Sequence, residues 1–148
     1  MTLNSSFDIA SQGLDASSSR LQTHANNIAN LNTPYYQRKI PILVENNETT
    51  FENILGQMRN GVLKAGISAS PGGVEMAGVA LDPTPGRRVY QPGHPQADKD
   101  GYVTYSNVNP LTDMADATVS QRAYEANLGV ISMAKAMANR ALEIGRGQ

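Results

Sequence analysis

His24 and His94 are the only imidazoles in a chain of 148 residues, and no cysteine accompanies them. Without thiols there is no disulfide, no thiolate nucleophile and no zinc site with sulfur ligands. His94 lies between Gly93 and Pro95, with Asp98 and Asp100 nearby, which is the beginning of a metal site. Two further ligands are missing and the stretch reads as a turn, so His94 is expected to be structural. Asp98-Lys99-Asp100-Gly101 is reminiscent of a calcium loop but lacks a third oxygen ligand and the closing glutamate. Ser/His/Asp catalysis would need His24 or His94, yet no nucleophile elbow accompanies either, and His24 falls on a helical apolar row. Gly72-Gly73 lacks phosphate-loop spacing, and Arg87-Arg88 is a lone basic pair, expected to be solvated or to contact a neighbour. No cluster joins acid, base and nucleophile, so the reading is a non-enzyme with no catalytic residue, cofactor or metal. The remaining chemistry is that of amides. Asn26, Asn27, Asn30 and Asn32 crowd one stretch, and each side chain both donates and accepts. Asn27 and Asn30, with Asn127 far along the chain, are expected to bond between neighbouring helices.

Twelve basic and thirteen acidic side chains leave a formal charge of −1. That balance makes no electrostatic case for nucleic acid or anionic lipid. No apolar run approaches the roughly 18 residues of a membrane span, so no direct membrane insertion is expected. Met1 to Asp8 contain neither a basic stretch nor an apolar one, which predicts no cleavable secretory signal.

Three parts must position these residues. Residues 1–36 are rich in Asn, Ala and Ser; residues 37–107 hold most of the prolines and glycines; residues 108–148 are rich in Ala and Met. In the first part Leu3, Phe7, Ala10, Leu14, Ser17, Leu21, His24, Ile28 and Leu31 alternate spacings of four and three, the seam of a heptad helix. The seam is narrow and interrupted, and Gly13 inside it lets another element approach closely. Asn32-Thr33-Pro34 ends it, with Asn32 suited to the left-handed position. In the last part Val119, Ala123, Ala126, Val130, Met133 and Met137 form one helical stripe. Tyr124, Leu128, Ile131, Ala138 and Leu142 form a second beside it. Together they make a face wider than one partner helix needs. The middle part reads as a small β-rich domain. Val74, Met76, Val79 and Leu81 predict a strand with a slip at Gly78, and Asp98 to Gly101 a turn into a strand from Tyr102. Phe51, Ile54, Leu55 and Met58 predict a short helix after Thr49-Thr50, and Gly66 to Gly73 a loop.

Ala10-Ser-Gln-Gly-Leu14, Arg20-Leu21 and Asn26-Asn-Ile-Ala-Asn-Leu-Asn-Thr-Pro34-Tyr resemble the N-terminal signature of bacterial flagellar rod and hook proteins. Ser120-Gln-Arg-Ala-Tyr-Glu-Ala-Asn127, with Lys135, Met137 and Leu142, resembles the matching C-terminal signature. Val89 to Asp98 and Gly101 to Asn109 are similar to the short proximal rod members of that family. The segment Gly56–Ser70 is longer than the family's usual insert, and Asp113-Met114 stands where Glu-Met is commoner, a change expected to matter little.

The resemblance implies helices from many subunits packed as concentric tubes around an export channel, in a rod that crosses the periplasm and transmits torque. It implies partners among copies of the chain, other rod proteins and the flagellar type III export apparatus. The expected fold is α+β, with long terminal helices meeting between molecules and a small β-rich domain between them. The expected assembly surface combines Leu14, Leu21, Asn27, Ile28 and Asn30 with Tyr124, Asn127, Leu128, Ile131, Met133 and Met137. The alternatives are another axial protein of the same family, or a non-flagellar helical adaptor that self-associates. The proline- and glycine-rich strands between the helices argue against the adaptor, and the lack of a large insert against the distal rod and hook types.

Overall fold

The computed structural model describes residues 3–46 and 72–146. The helix expected around Phe51 to Met58, the Gly56–Ser70 segment and most of the Gly66–Gly73 loop lie outside the described residues. Within them the order is α1 (Leu3–Ala29), β1 (Lys39–Asn46), β2 (Gly73–Leu81), β3 (Arg88–Tyr90), β4 (Tyr102–Thr104) and α2 (Pro110–Arg146). Two long terminal helices flank two small antiparallel ribbons, an α+β architecture.

Each helix starts or stops for a local reason. Asn109 caps α2, its Oδ1 accepting from Leu111 N at 3.1 Å and Thr112 N at 3.4 Å. Pro110 follows at the first helical position, where no N–H is needed. At the other end of α1 the chain tightens: Leu31 N bonds Ile28 O at 3.2 Å and Thr33 N bonds Asn30 O at 3.1 Å. The left-handed residue of this turn is Tyr35, with φ 62°, not Asn32 as the sequence suggested. A tyrosine there is strained by about 1–2 kcal/mol. It is held because Tyr35 N donates to Thr104 O at 2.9 Å and its hydroxyl to Gln96 O at 3.0 Å.

α1 and α2 run antiparallel: His24 meets Asp113 near one end and Gly13 faces Asn127 further along. Ala10, Gly13, Ala16, Ser17 and His24 of α1 are buried, as are Asp113, Ser120 and Ala134 of α2. The heptad persists, but its inward members are small or polar. The expected large row is displaced onto the flank, with Leu14 and Ile28 half-buried and Leu21 37% exposed. Small residues let the helix axes approach, and bulky leucines are pushed aside by that approach.

Gly13 shows how close the contact is. A Cβ built there would lie 2.7–2.9 Å from the amide atoms of Asn127, which is tied to Ala123 O at 3.0 Å. Gly13→Val is therefore expected to destabilise by about 1–3 kcal/mol through overpacking. The gain in helix propensity, under about 1 kcal/mol, only partly offsets it. Urea unfolding should show the loss, and Asn127→Ala in the same chain should recover most of it.

β1 and β2 pair from Lys39↔Leu81 to Asn46↔Gly73, with Ile42 opposite Gly78 and Leu43 opposite Met76. The extra residue is Ala77, so the slip expected at Gly78 is a β-bulge. This ribbon lies along α1, with Asn46 Nδ2 donating to Gln12 Oε1 at 3.3 Å. β3 and β4 form the second ribbon around buried Val103, with Tyr90 and Tyr102 edge to face at 5.2 Å. Its connection is the expected turn: Asp98 Oδ1 accepts from Asp100 N at 3.0 Å and Tyr102 N at 2.8 Å, and Gly101 has φ 79°. Arg87 and Arg88 find partners within the chain. Arg88 donates to Asp98 Oδ2 at 2.6 Å and lies over Tyr102, while Arg87 lies over Tyr105. His94 Nδ1 accepts from Gln96 N at 3.1 Å and closes its own turn.

Candidate assembly site: a buried polar clasp beneath two exposed helix flanks

Four segments converge where the Asn-rich turn leaves α1: the last turns of α1, the approach to β1, the end of β2 and the first turn of α2. Asp113 sits at the centre with no exposed surface. Its Oδ1 lies 2.9 Å from His24 Nδ1 and accepts from Asn27 Nδ2 at 2.9 Å; its Oδ2 accepts from Arg38 Nε at 3.0 Å. Arg38 also reaches Asp116 at 3.5 Å and Asp82 at 3.8 Å. Burial works against ionisation of Asp113, but the hydrogen bonds from His24, Arg38 and Asn27, with the Arg38 charge, hold its carboxyl below the ordinary range. The same cluster pushes the Tyr36 phenol up, through burial and then the Asp113 charge. Among the described residues, His24 Nε2 is the one buried side-chain polar atom without a partner.

Asn27 does a second job. Its Oδ1 accepts from Lys39 N at 2.9 Å and its Nδ2 donates to Lys39 O at 2.8 Å. A carboxamide that satisfies both backbone groups of one residue acts as a one-residue strand, covering the start of β1. Tyr36 hydroxyl adds a third bond to the same oxygen at 3.0 Å. Asn107 works similarly one layer out: its Oδ1 accepts from Arg38 N at 2.7 Å and its Nδ2 donates to Asp82 O and Thr84 O. The turn, both strands at one end of the first ribbon and α2 are thereby fastened together.

Within the single chain the three amides expected to bond between molecules all have intramolecular partners. Asn27 is fully buried, and the clasp uses both ends of its amide. Asn30 closes its own turn, donating to Asn26 O at 2.9 Å and accepting from Thr33 Oγ1 at 3.1 Å. Asn127 is half-buried over Gly13.

The apolar members of the expected surface lie elsewhere. Leu21, Tyr124, Leu128, Met133 and Met137 are exposed, while Leu14, Ile28 and Ile131 are half-buried on the flanks of the helix pair. Met133 is 61% exposed and Leu142 66%. With 37 residues, α2 is ten longer than the 27 of α1, and every residue from Asn139 to Gly145 is exposed. Sequence reasoning placed His24 on the α1 seam but did not connect it to Asp113, and it passed over Arg38. The available signal was an acid in the first turn of α2 beside a polar residue at a seam position of α1.

The chain matches two protein families: "Flagella basal body rod protein" over residues 7–37, and "Flagellar basal body rod FlgEFG protein C-terminal" over residues 99–144. These segments cover most of α1 with its turn, and nearly all of α2 with β4. Curated relatives match almost end to end. The flagellar basal-body rod protein FlgC of Borreliella burgdorferi is 36% identical, over 99% of this chain and all of that protein. FlgC of Bacillus subtilis is 33% identical over the same shares. FlgC of Buchnera aphidicola is 32% identical over 97% of this chain and 98% of its own. Most of the helix pair, the turn, and His24, Asn27 and Asp113 of the clasp fall within the matched segments, and the chain belongs to the FlgC family of flagellar basal-body rod proteins, as a structural subunit of the basal-body rod.

Proposed function

We propose that the subunit polymerises through the exposed flanks of its two helices, with copies of itself and with other rod proteins. The resulting tube surrounds the export channel and transmits torque across the periplasm. The observation that carries this reading is the amount of large apolar side chain left in water on α2. Leu111, Met114, Val119, Tyr124, Leu128, Met133, Met137, Leu142 and Ile144 are all exposed. A monomer rarely leaves so long an apolar surface uncovered. Among the described residues, none covers the last turns of α2, where every residue from Asn139 to Gly145 is exposed. Delivery through the flagellar type III export apparatus fits a chain with no cysteine, since no disulfide can form before threading. Turnover chemistry has no part in this function.

Met133→Asp with Met137→Asp tests the reading. Both sites are more than half exposed, so the purified protein should keep its helix content. Cells relying on this variant should not swim, because carboxylates would then lie against apolar neighbours. Normal swimming would count against this surface as the interface.

A further inference from the structure

The seam between α1 and α2 says little about how far one helix should slide along the other. Away from the turn its members are small: Ala10, Gly13 and Ser17 face the row of Ser120, Asn127 and Ala134. Both rows follow the heptad, so a slide of seven residues returns most small side chains to small side chains and costs only the close fit of Asn127 against Gly13. The bulky residues that would resist sliding stand on the flanks. Apart from that fit, only the turn carries something that recurs nowhere else in the seam. There a single fully buried carboxylate, Asp113, receives His24, Asn27 and Arg38 within 3.0 Å. Sliding α2 by one heptad would bring Ser120 to that place. Arg38 would face a hydroxyl, and Asp113 would lose all three partners.

We infer that this cluster is the register key of the helix pair. Buried polar groups of this kind select one alignment by making every other one leave a charge unpaired. Its importance to the rod rests on the assembly reading: register decides whether the exposed rows of α1 and α2 lie side by side as one surface. Register itself belongs to the single chain and is measured without any polymer.

The absence of cysteine makes the test clean. Ser18→Cys and Lys135→Cys, both at exposed positions, accept spin labels at those two places alone. Pulsed dipolar spectroscopy on the full chain should give one narrow distance. Adding His24→Leu, Arg38→Met and Asp113→Leu replaces the cluster by apolar side chains, and a second population should appear, displaced by about 10 Å, the rise of seven helical residues. A second variant, Asp113→Ser with Ser120→Asp, moves the carboxylate one heptad along α2 and should shift the main distance by about the same amount. It decides the matter where the first loses its helices. A single unchanged distance in either folded variant would overturn the inference, since packing alone would then set register. Loss of helix in both would overturn it too, by making the cluster a requirement for folding instead. Native register combined with failed incorporation into rods would fault the assembly reading and leave the register key standing.

Discussion

Asp113→Ala should cost about 3–5 kcal/mol of unfolding free energy, the range expected when one partner of a buried ion pair is removed. The cost comes from what is left behind. Arg38 keeps only the longer contacts to Asp116 and Asp82, at 3.5 and 3.8 Å, while His24 and the Asn27 amide each lose an acceptor in a place water does not reach. Chemical denaturation followed by circular dichroism measures it, and a loss under about 1 kcal/mol would place Asp113 among ordinary surface acids. Asp113→Asn keeps the shape and removes the charge, so it should lose less. The two variants also separate through pH. The native carboxyl titrates below its unfolded counterpart, so the unfolded chain takes up the proton first as pH falls. The stabilisation is therefore complete above the unfolded value, about pH 4. It declines below that, until the native carboxyl is itself protonated. The wild-type chain should lose stability along this acid limb, and Asp113→Asn should show a flatter one over the same range.

Periodicity made the two helices legible because it reports length and position well, and both heptad rows lie inside the observed elements except for Leu31, which falls in the turn after α1. The bulge was legible for a similar reason: when the alternation of a strand slips by one residue, that strand must carry an extra residue relative to its partner. Hydropathy could not show which edge of the heptad faces inward. A row of Leu14, Leu21 and Ile28 looks like a core, yet α1 turns Ala10, Ser17 and His24 to its partner and leaves Leu21 in water. Close approach at Gly13 decides this, and such an approach depends on what stands opposite, 114 positions along the chain at Asn127. The clasp was hidden for the same reason. His24 and Asp113 are 89 residues apart, and neither looks unusual beside its own neighbours. The asparagines illustrate the limit from the other side. Their chemistry was read correctly as paired donor and acceptor, but Asn27 spends it on the backbone of Lys39 within its own chain. Asp113, whose exchange for glutamate was expected to matter little, is the residue around which the rest is arranged.

Leu21→Asp should separate folding from assembly. Leu21 is 37% exposed on the flank of α1, opposite in kind to Asp113: it is large, apolar and outside the polar cluster. Losing its partial burial and some helix propensity should cost about 1 kcal/mol, which the fold can absorb. In the rod the same position would be covered by a neighbour, where an unpaired carboxylate costs several kcal/mol at every repeat. Since each subunit of a tube meets several others, that penalty recurs at each addition and should stop growth altogether. The expected result is a purified chain with wild-type helix content and an unfolding midpoint only slightly lowered, from cells that build no working flagella. Asp113→Ala would instead fail in both measurements, and this difference makes the pair informative. If Leu21→Asp cells swam normally, the flank of α1 would not be an interface, and the subunit contacts would have to lie along α2 alone.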